Sequence, residues 1–219
     1  MPHVLSVNVG SRVESDQAVV GHTGIGKLPV RGPVDVRPPG PRGAGGSGVV
    51  GDHISDLRHH GGDDQAVYAY AREDLDEWAA HLGRDLRSGL FGENLTTVGA
   101  DVCGARIGER WRIGGALLQA TSPRIPCRTF AGVMEEPGWV RTFTRRGLPG
   151  TYFRVLEPGA ITAGDEIVVE HRPDHDVTVS LAFRALTTEP DLLPGLLAAG
   201  DDLPDDLRRR AERRAFDPA

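Results

Sequence analysis

Short apolar runs alternate along the chain with glycine- and proline-rich turns, and this rhythm predicts many brief strands and few helices. Val4, Leu5, Val7 and Val9 form the first strand, ended by Gly10. A second is expected near Ala18-Val19-Val20, a third entered from the turn at Thr23–Lys27, and a fourth at Val34-Asp35-Val36. Residues 37 to 48 are mostly Pro, Gly and Arg and read as a loop. Gln65 to Tyr70 is a strand running into a helix at Arg72–Leu82, where Leu75, Trp78 and Leu82 share one face and Gly83 supplies the stop. Trp111, Ile113 and Ala116–Ala120 flank Gly114-Gly115 as a hairpin. Trp139 and Phe143 suggest a short helix ending at Gly147, and strands follow at Tyr152–Leu156 and Glu166–Val169.

After Pro173 the pattern changes. Ser180–Leu186 reads as one helix and Leu192, Leu193, Leu196 and Leu197 as the apolar face of a second. A third is introduced by Asp201-Asp202-Leu203-Pro204 and ends in Arg208-Arg209-Arg210 and Arg213-Arg214, acid at its front and base at its rear as the helix dipole favours. The expected architecture is α+β, mainly a barrel of β-strands with short helices over residues 1–173, carrying a small three-helix extension over 174–219.

Composition narrows the function. Hydrophobic content is only 39%, but 219 residues suffice to close a core. The formal net charge of −6 argues against bulk nucleic-acid binding. Two cysteines, Cys103 and Cys127, make no disulfide framework and cannot hold an iron–sulfur cluster. No stretch reads as a leader or a membrane span, so no membrane partner is expected and a reducing cytoplasm is the expected setting.

Five segments carry candidate chemistry. Ser122-Pro123-Arg124-Ile125-Pro126-Cys127-Arg128-Thr129 sets one cysteine on a proline-stiffened loop between two arginines. Nearby cations favour the thiolate, the form that attacks electrophiles and binds soft metals. His60-Gly61-Gly62 offers unhindered backbone N–H groups for an anion, with a histidine able to pass a proton. Asp52, Asp56 and His60 recur every four residues and form a candidate divalent-metal set for a hydrolase. Glu93-Asn94 combines donors and acceptors that suit a polar heterocycle. Lys27, the only lysine, stands in a glycine-rich turn where it could clamp phosphate. Gly43–Gly48 matches GxGxxG, but prolines precede it and Val49-Val50-Gly51 follows, so it is not a dinucleotide fingerprint.

Taken in order, Thr23-Gly24-Ile25 with Lys27, Gly51-Asp52, His60-Gly61-Gly62 with Ala66-Val67-Tyr68, Phe91–Leu95, Pro123–Cys127 and Gly164-Asp165 resemble the MOSC family, named for the C-terminal domain of molybdenum-cofactor sulfurase. The tail resembles the three-helix extension of stand-alone bacterial members that reduce N-hydroxylated bases. The resemblance implies a barrel-like fold that binds molybdopterin, with Cys127 ligating molybdenum. Thr23, Lys27, His60, Gly61, Gly62, Asn94, Arg124 and Arg128 would hold the cofactor. Family members often carry basic residues where Gln65 and Thr129 stand.

The function so implied is reduction of a small N-hydroxylated substrate, a hydroxylaminopurine or an amidoxime, to the amine or amidine. His60 or Glu93 would supply protons, a separate reductase the electrons, and the protein is a candidate homodimer. Two other readings stay open: a persulfide or cofactor carrier using Cys127, and the hydrolase built on Asp52, Asp56 and His60.

Overall fold

In the computed structural model, which describes residues 1–216, the strands are β1 (His3–Val9), β2 (Val13–Glu14), β3 (His22–Thr23), β4 (Leu28–Pro29), β5 (Val34–Val36), β6 (Val67–Ala71), β7 (Leu95–Val98), β8 (Arg110–Ile113), β9 (Ala116–Pro123), β10 (Thr151–Glu157), β11 (Gly159–Ile161) and β12 (Ile167–His171). The α-helices are α1 (Arg72–Leu82), α2 (Arg128–Met134), α3 (Trp139–Arg146), α4 (Val179–Thr187) and α5 (Asp205–Phe216). The class is α+β, built on a mixed sheet of order β12-β8-β9-β10-β6-β7-β1-β4, in which β6 and β7 run parallel.

Among the described residues no closed ladder of strands is assigned. The sheet curls far enough, however, that His3 bridges Glu166, with Val4 N–H donating to Asp165 O at 2.9 Å and Ile167 N–H donating to Pro2 O at 2.9 Å.

Strand β6 shows why this sheet holds two cores. Its residues alternate, so Val67, Ala69 and Ala71 enter the core inside the curl, while Tyr68 and Tyr70 enter an aromatic layer beneath α1, α2 and α3. That layer joins Trp78, Phe91, Phe130, Trp139 and Phe143, with Trp78 stacked on Phe143 and Phe91 and Phe143 edge-to-face with Phe130. Each large apolar side chain buried this way contributes about 1.5–3 kcal/mol.

Two expectations are corrected, and two elements were not expected. Ala18-Val19-Val20 is not a strand but part of the turn joining β2 to β3, with Val19 exposed. The run spans the chain reversal itself, with Ala18 N–H donating to Ser15 O at 3.2 Å and Gly21 N–H donating to Ala18 O at 3.0 Å, so its backbone is turned and not extended. Conversely, β7 is a buried strand whose Thr96 and Thr97 disguise it, and α2 was hidden by Gly132 in a short helix just after Pro126. The middle helix of the extension is a 3₁₀ run over Pro190–Asp202, with Pro194 inside it and a break at Gly200.

The extension gathers Val179, Ala182, Leu196, Leu207 and Ala211 into a third core that also takes Ile107 from the sheet region. We propose the division at 173/174, just after β12 ends at His171.

Candidate functional site

A cleft of about 460 Å³ opens where the β2–β3 turn, residues 53–61, the loop after β9 and the start of α5 meet. Cys127, half-buried, sits there in extended conformation (φ −122°, ψ 172°) as the residue capping the start of α2. The preceding prolines hold the loop extended, as the X-Pro geometry requires.

Arg124 is the most unusual group in the cleft. Only 5% of it is exposed, yet no carboxylate lies within ion-pair distance among the described residues. Its guanidinium lies 5.3 Å from the Tyr68 ring centre and 4.8 Å from that of Phe130, and one terminal nitrogen donates to the Tyr152 hydroxyl at 3.1 Å. Its Nε has no partner. Burial opposes the charge, while the Tyr152 and Tyr68 phenols and the Cys127 thiol favour it, and the guanidinium stays protonated. A buried cation costs several kcal/mol unless something compensates it, at about the scale of a desolvated ion. Rings and one neutral hydroxyl compensate it only in part.

The rim is basic as well. Arg58 pairs with Asp56 at 3.1 Å and Arg42 with Asp206 at 3.4 Å, whereas Arg128 and Arg210 have no carboxylate within ion-pair distance among the described residues. A net-negative chain has thus gathered a cationic surface around its one half-exposed thiol.

Of the residues expected to form the site, Thr23, Lys27, His60, Gly61, Asn94, Arg124, Cys127 and Arg128 line the cleft, and Gly62 and Glu93 do not. Thr23 Oγ1 accepts Ile25 N–H at 3.1 Å, leaving its hydroxyl hydrogen free to turn. Burial pushes the His60 imidazole down to about 4, with Arg124 adding to the effect, so it is neutral at pH 7.

Several expected roles change. Lys27 is not a free clamp, because its ammonium donates to both oxygens of the fully buried Asp52. Burial pulls that ammonium below its ordinary value and Asp52 opposes the pull. Asp52 also accepts Gly10 N–H at 2.7 Å and the Asn94 amide at 2.9 Å. Asn94 further donates to Asn8 O at 3.3 Å and accepts Tyr68 N–H at 3.2 Å, so its amide is spent inside the protein. These residues build the cleft floor.

Glu93 lies wholly beneath that floor. It accepts Gly89 N–H and, at 3.0 Å, the Thr96 hydroxyl, and burial raises its pKa. Its other oxygen has no partner, and the residue lies under the floor and not among the groups that line the cleft. The Gly61-Gly62 pair is not an open anion nest either. Gly62 N–H donates to Gly46 O at 3.1 Å, and Cβ atoms at Gly61 and Gly62 would meet Gly46 O at 2.6 Å and Arg42 Cα at 2.7 Å. With φ of 79° and 81°, these glycines let residues 40–48 close against the cleft wall, which is what the GxGxxG-like stretch does.

The hydrolase set does not assemble. Asp52 is held by Lys27 and Asp56 by Arg58, and no cluster of three metal-ligating side chains occurs among the described residues. Gln65 and Thr129, where relatives were expected to carry bases, also line the cleft. Sequence reasoning missed His22 and His53, whose rings lie 5.7 Å apart on the cleft wall, His22 Nδ1 sharing a hydrogen bond with Ser55 Oγ at 2.9 Å. Only the position of His53 directly after the Gly51-Asp52 motif could have signalled it.

A half-exposed soft thiol beside an uncompensated buried cation, on an α+β mixed sheet, makes a cleft whose chemistry suits an anionic ligand and a soft-metal centre. The family model for the MOSC domain matches residues 56–168, and the chain belongs to that family. It is 33% identical over 183 residues to the uncharacterized protein YflK of Bacillus subtilis, covering 83% of this chain and 79% of that one. It is 30% identical over 138 residues to protein YiiM of Escherichia coli, covering 62% and 61% of the two chains. The crystal structure of YiiM from Geobacillus stearothermophilus superposes with a TM-score of 0.78 at 27% identity, over 98% of this chain and 99% of that one. The family name links the chain to the molybdenum cofactor. No helix among the described residues is long and apolar enough to cross a membrane.

Proposed function

We propose that this protein is a molybdenum-cofactor oxidoreductase that reduces a small N-hydroxylated compound, of hydroxylaminopurine or amidoxime type, to the amine or amidine. The observation that carries the reading is Arg124: a buried, unpaired guanidinium beside Cys127 calls for an anion next to a soft-metal ligand. The residues fit molybdopterin by the chemistry of their donors. Cys127 would ligate molybdenum, Arg124 and Arg128 would hold the phosphate, and Thr23 and the Gly61 edge would border the pterin. We read the curled sheet, with its His3–Glu166 bridge, as the family's barrel.

When bound, the cofactor would supply the two-electron chemistry, R–NHOH + 2e⁻ + 2H⁺ → R–NH₂ + H₂O. The chain's own work is to orient, desolvate and move protons. Tyr68 and Phe130 fix the guanidinium plane, and Tyr152 holds one edge of it. Neutral at pH 7, His60 would pass a proton through one ring nitrogen while accepting at the other. The Lys27–Asp52–Asn94 network keeps the floor rigid beneath them.

The test is metal analysis on protein made in a host that synthesises the cofactor, together with benzamidoxime reduction driven by dithionite-reduced viologen. Wild type should hold molybdenum near one per chain and turn over, and Cys127→Ala should do neither. Wild type without molybdenum, or Cys127→Ala that still reduces benzamidoxime, overturns the reading. Labile extra sulfur on Cys127 with no molybdenum would instead make the protein a carrier.

A further inference from the structure

Beside the cleft lies a second groove, on the helical extension. Its apolar lining is Leu186, Pro190, Leu193 and the projecting Phe216, 88% exposed, and Arg209 and Arg213 are exposed beside them. Among the described residues neither arginine pairs with a carboxylate, and Glu212 is the one acid in the lining. Arg213 Nε donates only to Arg209 O, at 3.2 Å. The groove and the cleft share Leu186 and Arg210, so whatever sits on the groove sits at the mouth of the cleft.

Nothing among the described residues reads as an electron carrier: the two cysteines cannot hold an iron–sulfur cluster, and the glycine-rich GxGxxG-like stretch closes the cleft wall. Apolar side chains beside exposed arginines complement an acidic partner with an apolar centre, and the chain's net charge of −6 disfavours its docking elsewhere. We infer that the α5 groove is the docking surface for a small acidic electron-transfer protein that delivers electrons to the cleft. This rests on the reductase reading above. With a flavodoxin as donor, two hydroquinones each give one electron and become semiquinones. Those two electrons and two protons convert R–NHOH to R–NH₂ and water.

Electrostatic steering makes the prediction specific, because unpaired exposed arginines act mainly on association and its salt dependence. The experiment compares wild type, Arg209→Glu/Arg213→Glu and the control Arg141→Glu/Arg145→Glu, whose sites are exposed on α3 outside both the groove and the cleft. Binding of flavodoxin hydroquinone is titrated at low and high salt, and turnover is measured with flavodoxin and separately with dithionite-reduced viologen. Reversal at 209 and 213 should weaken flavodoxin binding at low salt about tenfold or more and flatten its salt dependence, while the control binds within about twofold of wild type. Viologen-driven turnover should be the same in all three. Equal flavodoxin binding by the groove variant and wild type, or no flavodoxin binding by wild type, overturns the docking surface. Loss of viologen-driven turnover in wild type itself overturns the reductase reading instead, and the binding comparison still judges the groove.

Discussion

Cys127 and Cys103 belong to the same chain and have opposite surroundings. Cys127 is half-buried at the start of α2, on the wall of an arginine-lined cleft. Cys103 is buried where the extension meets the sheet, its sulfur 3.5 Å from Asp74 Oδ2 and accepting Gly150 N–H at 3.4 Å. Burial first, and Asp74 second, push the Cys103 thiol far up. One cysteine is therefore a small apolar filler beside an acid, and the other an accessible sulfur beside cations. Access and the sign of the neighbouring charge, more than residue type, separate a packing cysteine from one open to chemistry.

The most direct way to break this contrast is alkylation of the native protein. Iodoacetamide should modify Cys127 at least about 100-fold faster than Cys103, read by peptide mass spectrometry over time, because only the first thiol meets solvent. Comparable rates would erase the distinction, and with it the case for Cys127 as a ligand.

The second test removes the cation. Replacing Arg124 with Met, a flexible side chain of similar length, relieves a buried charge that has no carboxylate, at the expense of two ring contacts and the hydrogen bond to Tyr152. The ligand-free protein should gain about 1–2 kcal/mol in urea unfolding, while molybdenum retention on expression falls to background. A variant that loses several kcal/mol would show Arg124 to be a structural strut like the groups around Cys103.

The two regions also differ in how pH acts on them. Folding lowers His60 from 6.5 to about 4, so between those values the unfolded chain binds more protons and stability rises with pH. That contribution is present above pH 6.5 and is lost as pH falls toward 4. Asp74, half-buried beside Cys103, is raised by burial from 3.8 to about 6. Between these values the folded chain binds more protons, so its contribution is full below pH 3.8 and is lost as pH rises through 6. The His60 swing is about 3 kcal/mol, and the Asp74 swing is about 2 kcal/mol once its partial exposure is counted. The two nearly cancel in wild type from pH 4 to 6. His60→Gln should leave stability falling with rising pH over that range, and Asp74→Asn should leave it rising more steeply, as measured by denaturant midpoints at each pH. Parallel profiles for the two variants would contradict the contrast.

The Cys127 region was far more legible in the sequence than the Cys103 region. Prolines and arginines around a cysteine announce an open, cationic loop, and the cleft does collect Cys127, Arg124, Arg128, His60 and Thr23. Local periodicity likewise placed α1 and the β8–β9 hairpin, since both follow from residues near in sequence. What stayed hidden depends on distant partners. Glu93 and Asn94 look like ligand-binding polar residues, but the Asn94 amide is spent on Asn8, Asp52 and Tyr68, and Glu93 is buried outside the cleft lining with Gly89 and Thr96 on one of its oxygens. Lys27 looks like a phosphate clamp until Asp52, 25 residues on, neutralises it. Strand β7 needed β6 and β1 on either side to justify burying two threonines.

The smallest expected effect concerns how far Cys127 is exposed. Gly132 lies inside α2, where alanine would favour the helix by about 1 kcal/mol, so its lack of a side chain needs a reason. A Cβ there would come within 2.4 Å of Gln17 Cγ and 2.5 Å of Gln17 Cβ. Gln17 belongs to the β2–β3 turn, whose Ala18, Val19 and Val20 line the cleft, so glycine at 132 lets that turn rest on the helix that starts at Cys127. Because Gln17 Cβ itself is in the way, no rotamer change relieves the clash and the turn must lift. Gly132→Ala should therefore change unfolding free energy by less than about 0.5 kcal/mol, helix gain offsetting the lost seat, while Cys127 alkylates about 3–10-fold faster. Cys103, buried elsewhere, should keep its wild-type rate. If the Cys127 rate does not move, the turn is no cover for the thiol, and the exposure of Cys127 is set by its own loop alone.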